Sequence, residues 1–347
     1  MLVTLLFIPG RGTFMKNLAL KKSVSNRQNL AKGLFKKNKP EKKVITKRNP
    51  LKDWQLYLFL LLPLLYIIIF KYLPMGGLVV AFKDYKVRLG IWGSKWVGLD
   101  QFIRFFESYM FKDIMVNTLV LSLYSLLASF PIPIIFALMI NSIQSKRFKK
   151  VTQTIVNMPH FISIVVIVGI LMMVFHNRNG IYGNLLHMIT GKYPADLFAS
   201  PEAFRHFYVW SGVWQNFGWS SIIYTAALSN VDPTYHEAAQ LDGASRLQRI
   251  LHVDLPTILP TIITMLILKM GSVLTLGFEK IFLMQNDLNL SASQVVSTYV
   301  YEMGISGTGA GNFSYATAIG MFNNVVEFIL VVIVNKISKK VSETSLW

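Results

Sequence analysis

The 347-residue chain contains no cysteine, which excludes a disulfide framework, a cysteine-ligated zinc site and a thiol nucleophile. Charge is scarce as well. Asp, Glu, Lys and Arg make up 15% of the residues and apolar types 53%, against about 25% charged in an ordinary soluble domain, so an ordinary soluble globule is excluded. Acids are the scarcest charged type, 17 against 35 Lys plus Arg, for a net charge of +18. The phosphate-cradling pattern Gly-x-x-x-x-Gly-Lys-Ser/Thr is missing, since Gly191-Lys192 lacks the earlier glycine. The zinc-protease pattern His-Glu-x-x-His is incomplete too. In His236-Glu237-Ala238-Ala239-Gln240 the second imidazole is replaced by Gln240, and one ligand cannot hold the metal.

What is present is apolar sequence in long runs. A bilayer core needs about 20 mostly apolar residues per helix, and six such windows occur, near Trp54–Leu73, Ile114–Ser142, Val151–Phe175, Phe204–Asn230, Thr257–Met284 and Phe313–Asn335. The fourth is interrupted by Gln215, Asn216 and several serines, so it is expected to face protein or a cavity more than lipid. The expected fold is all-α and membrane-integral with six spans. With the N-terminus inside, the inner segments (1–53, 143–150, 231–256, 336–347) hold 23 Lys/Arg in 99 residues, and the outer segments (74–113, 176–203, 285–312) hold 8 in 96. The positive-inside bias therefore places both termini in the cytoplasm. Three regions follow: a basic cytoplasmic tail at 1–53, a membrane domain at 54–335 and a short cytoplasmic tail at 336–347.

The first region holds 14 Lys/Arg and two acids, Glu41 and Asp53. Basic residues beside a first span fix topology and touch anionic lipid headgroups. No aromatic or glycine-rich pattern for binding nucleic acid accompanies them, so nucleic acid is not an expected partner. The apolar start MetLeuValThrLeuLeuPheIle is too short for a signal peptide and lacks a basic region before it. Translation is expected to begin at Met15.

The loop at 231–256 reads as two short helices joined at a turn. Asp232 is placed to cap the first, with Pro233 at its first position where no N–H is needed. Gly243 supplies the turn, Ser245 caps a second helix through Val253, and Pro256 is expected to end it before the next span. Ala238 and Ala239 leave a low ridge that a partner's groove can approach closely, with Glu237 beside it for a basic group.

Within this loop the run Glu237-Ala238-Ala239, then Gly243, Val253 and Leu255-Pro256 resembles the signature of the membrane subunits of binding-protein-dependent ABC importers; Val253 stands where Ile is commoner. Tyr72-Leu73-Pro74-Met75, Ala81-Phe82-Lys83-Asp84-Tyr85, Trp96-Val97-Gly98-Leu99, Pro159-His160-Phe161-Ile162-Ser163 and Ser345-Leu346-Trp347 are similar to the carbohydrate branch, the oligosaccharide and polysaccharide permeases of maltose type. The resemblance covers about Asp53 to Trp347. It implies a multi-pass subunit of a bacterial plasma membrane that moves oligosaccharides inward and performs no covalent chemistry itself. It also implies partners: a second permease subunit of different sequence, two ATP-binding subunits carrying ATP and Mg, and an extracellular solute-binding protein. The 231–256 loop would couple to those ATPases through Glu237, Ala238, Ala239, Gly243, Leu255 and Pro256.

The same resemblance places the sugar path along the spans flanking the loop, where Gln215, Asn216 and Trp219 precede it and Ser272, Leu276 and Glu279 follow it. Sugars present apolar CH faces and many hydroxyls, which suits aromatic rings beside amides and carboxylates. Glu327, near the middle of the sixth window, must be protonated, paired or facing a cavity. Glu279 with Lys280 reads as a helix-end pair reaching toward headgroups, and His160 as a polar residue at a helix entry. Competing classes are an ion-gradient-driven secondary transporter, a membrane enzyme, which lacks a metal motif or paired acids here, and a channel, which lacks a regular polar ring.

Overall fold

The computed structural model describes residues 54–306 and 311–342. The basic tail with Met15 and the terminal Ser345-Leu346-Trp347 lie outside the described residues. Contacts divide the chain into two units, one ending at Ile68 and the other beginning at Ile69. The described part of the first is essentially α1 (Trp54–Ile67), whose sequence WQLYLFLLLPLLYI is apolar all round and which has no buried residue. A helix without a polar face is one suited to lipid.

Among the described residues, the regular structure of the second unit is helical apart from a two-stranded antiparallel ladder of β1 (Lys83–Asp84) and β2 (Lys95–Trp96), paired Lys83 to Trp96 and Asp84 to Lys95. Then come α2 (Asp100–Phe106), α3 (Phe111–Ser129) and α4 (Pro131–Asn141). Among the described residues four helical runs are long and apolar enough to cross a membrane: Trp54–Phe82, Phe111–Asn141, Arg246–Met270 and Phe313–Lys340. A bent pair, Lys146–Phe161 with Ile164–Val174, makes a fifth if counted as one span. The first, second and sixth expected windows thus coincide with straightforward helical runs.

The third window differs. Val151–Phe175 is not one helix but α5 (Lys146–Asn157), a 3-10 turn at Met158–Phe161, and α6 (Ile164–Val174), with a bend of 97°. Pro159 has no N–H to continue the helix, and the Ser163 hydroxyl caps α6 by accepting the Val166 N–H at 3.3 Å. After α7 (Ile181–Thr190), the fourth window is the unbroken 28-residue α8 (Pro201–Leu228). Ser200 caps it through the Ala203 N–H at 3.3 Å, with Pro201 in the first turn. It is long enough to span, yet too polar to count among the four, as its amides and serines foretold. It packs at the centre of the unit. Phe204, Val209 and Val213 join Leu121 of α3 and Val168 of α6 in one apolar cluster, and Tyr224 and Leu228 join Ile134 and Ala137 of α4 in another.

The loop helices are α9 (Pro233–Leu241) and α10 (Arg246–Arg249), followed by α11 (Leu255–Met270). Pro256 does not end the second loop helix as expected. The chain stays helical from Arg246 to Met270, because a π turn at Ile250–Asp254 widens the helix just before the proline and the Leu255 N–H donates to the Ile250 carbonyl. The expected fifth window, Thr257–Met284, also covers two helices. α11 stops at Met270, residues 271–277 are irregular, and α12 (Phe278–Met284) restarts the helix. Irregular backbone at membrane depth persists only where protein satisfies it, and neighbouring helices do so here. The Gly277 N–H donates to the Tyr208 hydroxyl at 3.1 Å, and the Lys280 Nζ to the Tyr208 carbonyl at 3.0 Å. α13 (Val296–Gly304) and α14 (Phe313–Ser342) complete the unit, packed with α2 and α3 around Phe105, Ile114, Tyr299 and Ile319.

Gly218 lets α8 touch α5. A Cβ there would lie 2.5 Å from the Val156 carbonyl oxygen and 2.7 Å from Asn157 Oδ1.

Candidate functional site

The first of two constellations is the 231–256 segment, built as its residue types dictate. The Asp232 carboxylate accepts the Thr234 N–H at 2.9 Å, and the hydrogen bonds from Thr234 hold that carboxyl below the usual carboxylate range. Gly243 adopts φ of +77°, the left-handed conformation that glycine occupies without steric cost. Ser245 and Gln248 form a reciprocal capping box, the Ser245 N–H donating to Gln248 Oε1 at 2.7 Å and the Gln248 N–H to Ser245 Oγ at 3.4 Å. Behind the turn, His236 of α9 meets the buried Asp254 with Nε2 to Oδ1 at 3.2 Å. A cavity of about 390 Å³ lies beside the pair, reached by Glu237, Arg246 and Arg249. Glu237, Ala238 and Gly243 are exposed, Ala239 and Leu255 half-buried, and Pro256 exposed. The six expected coupling residues thus occupy both sides of a single capped helix–turn–helix.

The second constellation is centred on α8. Gln215 is buried, and its Nε2 donates to the Ile162 carbonyl at 3.1 Å, which satisfies backbone freed at the α5–α6 bend. The Asn216 amide donates to the Gly212 carbonyl at 3.0 Å, and its Oδ1 lies 3.0 Å from His160 Nδ1. An amide oxygen only accepts, so His160 Nδ1 carries the proton in this pairing. The His160 ring stacks on Trp219 with centroids 4.6 Å apart and planes within 6°, and Phe161 meets the same indole edge-on at 5.8 Å. The outcome is an aromatic shelf, half exposed, with an amide at its rim. Behind it a cavity of about 320 Å³ is lined by Ser125, Ser129, Gln215, Asn216, Lys269 and Lys280, among others.

The structure therefore brings Gln215, Asn216 and Trp219 together. Ser272 and Glu279 are exposed and do not line this cavity, and Leu276 is buried in the apolar cluster with Phe204 and Tyr208. Glu279 and Lys280 do not form a helix-end pair: Glu279 points outward while Lys280 turns inward, because its ammonium is taken by the Tyr208 carbonyl. Glu327 is buried and accepts the Thr275 hydroxyl at 2.9 Å. His160 is more than a helix-entry residue; the Pro159-His160-Phe161 run carried that signal, since the proline forces the bend that aims the ring at α8. Ser125 carried no sequence signal, whereas Lys269 did, as a charge inside the fifth apolar window; the fold sets both on one cavity with Lys280.

A family model described as a binding-protein-dependent transport system inner membrane component matches residues 129–342, a stretch containing both constellations apart from Ser125. The chain belongs to this family. The permease is thus a transport component of the bacterial plasma membrane, passing through it several times. It is 43% identical over 296 residues to Protein LplB of Bacillus subtilis strain 168, covering 85% of this chain and 92% of that one. It is 40% identical over 314 residues to the polygalacturonan/rhamnogalacturonan transport system permease protein YteP of the same organism, covering 90% and 96%. Among solved structures, a bacterial ABC transporter involved in the import of the acidic polysaccharide alginate matches with 39% identity and a TM-score of 0.76, covering 84% of the permease and 97% of that chain. The same kind of transporter in complex with an alginate pentasaccharide-bound periplasmic protein matches with a TM-score of 0.77.

Proposed function

We propose that the permease forms half of the membrane core of an ATP-driven importer that carries oligosaccharides into the cytoplasm, delivered by an extracellular binding protein. In this reading a second, different membrane subunit supplies the other half and two ATP-binding subunits hydrolyse ATP. Both termini and the 231–256 loop face the cytoplasm, and α8 and the bent α5–α6 pair complete a set of six spans. α8 is more polar than a lipid-facing helix because it lines the path. Sugar slides over the His160–Trp219 shelf, with the Asn216 amide exchanging hydrogen bonds with its hydroxyls.

The observation that carries this reading is the loop. Its exposed Glu237-Ala238 face belongs to α9, while the His236–Asp254 pair joins α9 to the helical run that continues as α11. A push on α9 by a nucleotide-driven partner would thus reach α11 and the α11–α12 break beside the cavity. Two of the proteins named above support the cargo class: YteP is a polygalacturonan/rhamnogalacturonan permease, and the matching solved transporter is involved in alginate import.

The cysteine-free chain makes the test clean. A single cysteine introduced as Ala238→Cys is expected to cross-link to a cysteine placed in the cleft of the ATPase subunit, with a yield that changes on ATP binding. Absence of a cross-link in an assembled, ATP-hydrolysing complex would remove the coupling role.

A further inference from the structure

We infer that the cavity between α3, α8 and the α11–α12 break is a subsite for the carboxylate of an acidic sugar unit, with Lys280 and Lys269 as its cationic groups. The inference rests on the oligosaccharide reading above and specifies its substrate class.

Lys280 is 6% exposed, and Lys269 is half-buried on the other side of the break. Two ammonium groups within a membrane domain are costly unless something offsets their charge, and such residues mark substrate pathways. No carboxylate lies within ion-pairing distance of either one among the described residues. Their partners are neutral: the Lys280 Nζ donates to the Tyr208 carbonyl at 3.0 Å, and the Lys269 Nζ to the Ser129 hydroxyl at 2.6 Å. Each ammonium has three N–H donors, so both keep donors for a further acceptor. Neither acid tied to the break lines the cavity: Glu327 accepts the Thr275 hydroxyl at 2.9 Å, and Glu279 points outward.

A second observation is independent of the lysines. The Ser125 Oγ, on the same cavity wall, is buried and has no hydrogen-bond partner among the described residues. A lysine that merely pinned α12 to α8 would need neither a second cation nor a donor left over. Two cations, a spare hydroxyl and the Asn216 amide in about 320 Å³ suit one sugar unit bearing an anionic oxygen pair. That volume lies at the small end of ligand pockets, about 300–1,000 Å³.

The test uses the complete complex, with its binding protein, second membrane subunit and ATPases, in proteoliposomes. Uptake of trigalacturonate is compared with uptake of its methyl ester, which keeps the sugar and loses the charge. For Lys280→Gln with Lys269→Gln the ratio of acid to ester uptake is expected to fall at least tenfold from that of the wild type. Lys280→Arg with Lys269→Arg is expected to restore it. A structural role would lower both uptakes and leave the ratio in place, and an unchanged ratio overturns the inference, as does a wild type that takes up only the ester; in each case the oligosaccharide reading survives. A wild-type complex that moves neither these nor neutral oligosaccharides overturns that reading and the subsite together.

Discussion

Asp254, buried at the end of the loop's π turn, lies 3.2 Å from His236 on the neighbouring loop helix, so the two halves of the loop are joined behind their exposed face. Asp254→Asn is expected to loosen that joint. A hydrogen bond to a charged group is worth roughly 1.5–3 kcal/mol, and sugar uptake per ATP hydrolysed should fall by roughly tenfold or more by that measure. Uptake and ATPase activity measured on the same vesicles check it; a fall in both together would point to lost assembly instead.

Gly243 sits at φ of +77° with nothing within 4 Å of a built Cβ. Space is therefore not the constraint, but conformation is: a side chain in the left-handed region costs roughly 1–2 kcal/mol. Gly243→Asp is expected to uncouple transport while the permease still inserts, with uptake lost and membrane content by immunoblot unchanged. Wild-type uptake by that variant would sink the coupling role of the turn.

The His160–Trp219 stack leads to a different expectation. Trp219→Ala removes the shelf and should cut uptake several-fold at limiting sugar, since the apolar CH faces of the sugar lose their aromatic platform. Trp219→Phe keeps a smaller platform and should fall between. Concentration-dependent uptake rates distinguish them.

Gly218 is required for contact, not conformation. With a Cβ 2.5 Å from the Val156 carbonyl oxygen, Gly218→Val must push α8 from α5, and overpacking of this kind costs about 1–3 kcal/mol. A lower melting temperature of the purified complex is the expected readout. By contrast, Glu327→Gln keeps an acceptor for the Thr275 hydroxyl and is expected to leave the melting temperature near that of the wild type, whereas Glu327→Leu should lower it.

Much of this was legible in the sequence where local chemistry dictates structure. Asp232, Gly243 and Ser245 each act as their residue types require, because caps and turns depend on a few neighbouring atoms. The polarity of Gln215 and Asn216 marked α8 as a helix facing protein. The breaks were harder to read. Residues 257–284 are mostly apolar, and hydropathy does not register that 271–277 leaves the helix; distant residues hold that stretch, Tyr208 through the Gly277 N–H and Glu327 through the Thr275 hydroxyl. Pro256 misleads for a related reason, since a π turn upstream absorbs what a regular helix would not. Lys280 read as an outward residue because its burial depends on the same distant tyrosine.

The most direct test of ATP-driven import places the complex in proteoliposomes with ATP inside and binding protein plus labelled oligosaccharide outside. Uptake is predicted to require the internal ATP and to persist when an uncoupler collapses the ion gradients. Uptake that proceeds without ATP and stops with the uncoupler would contradict it.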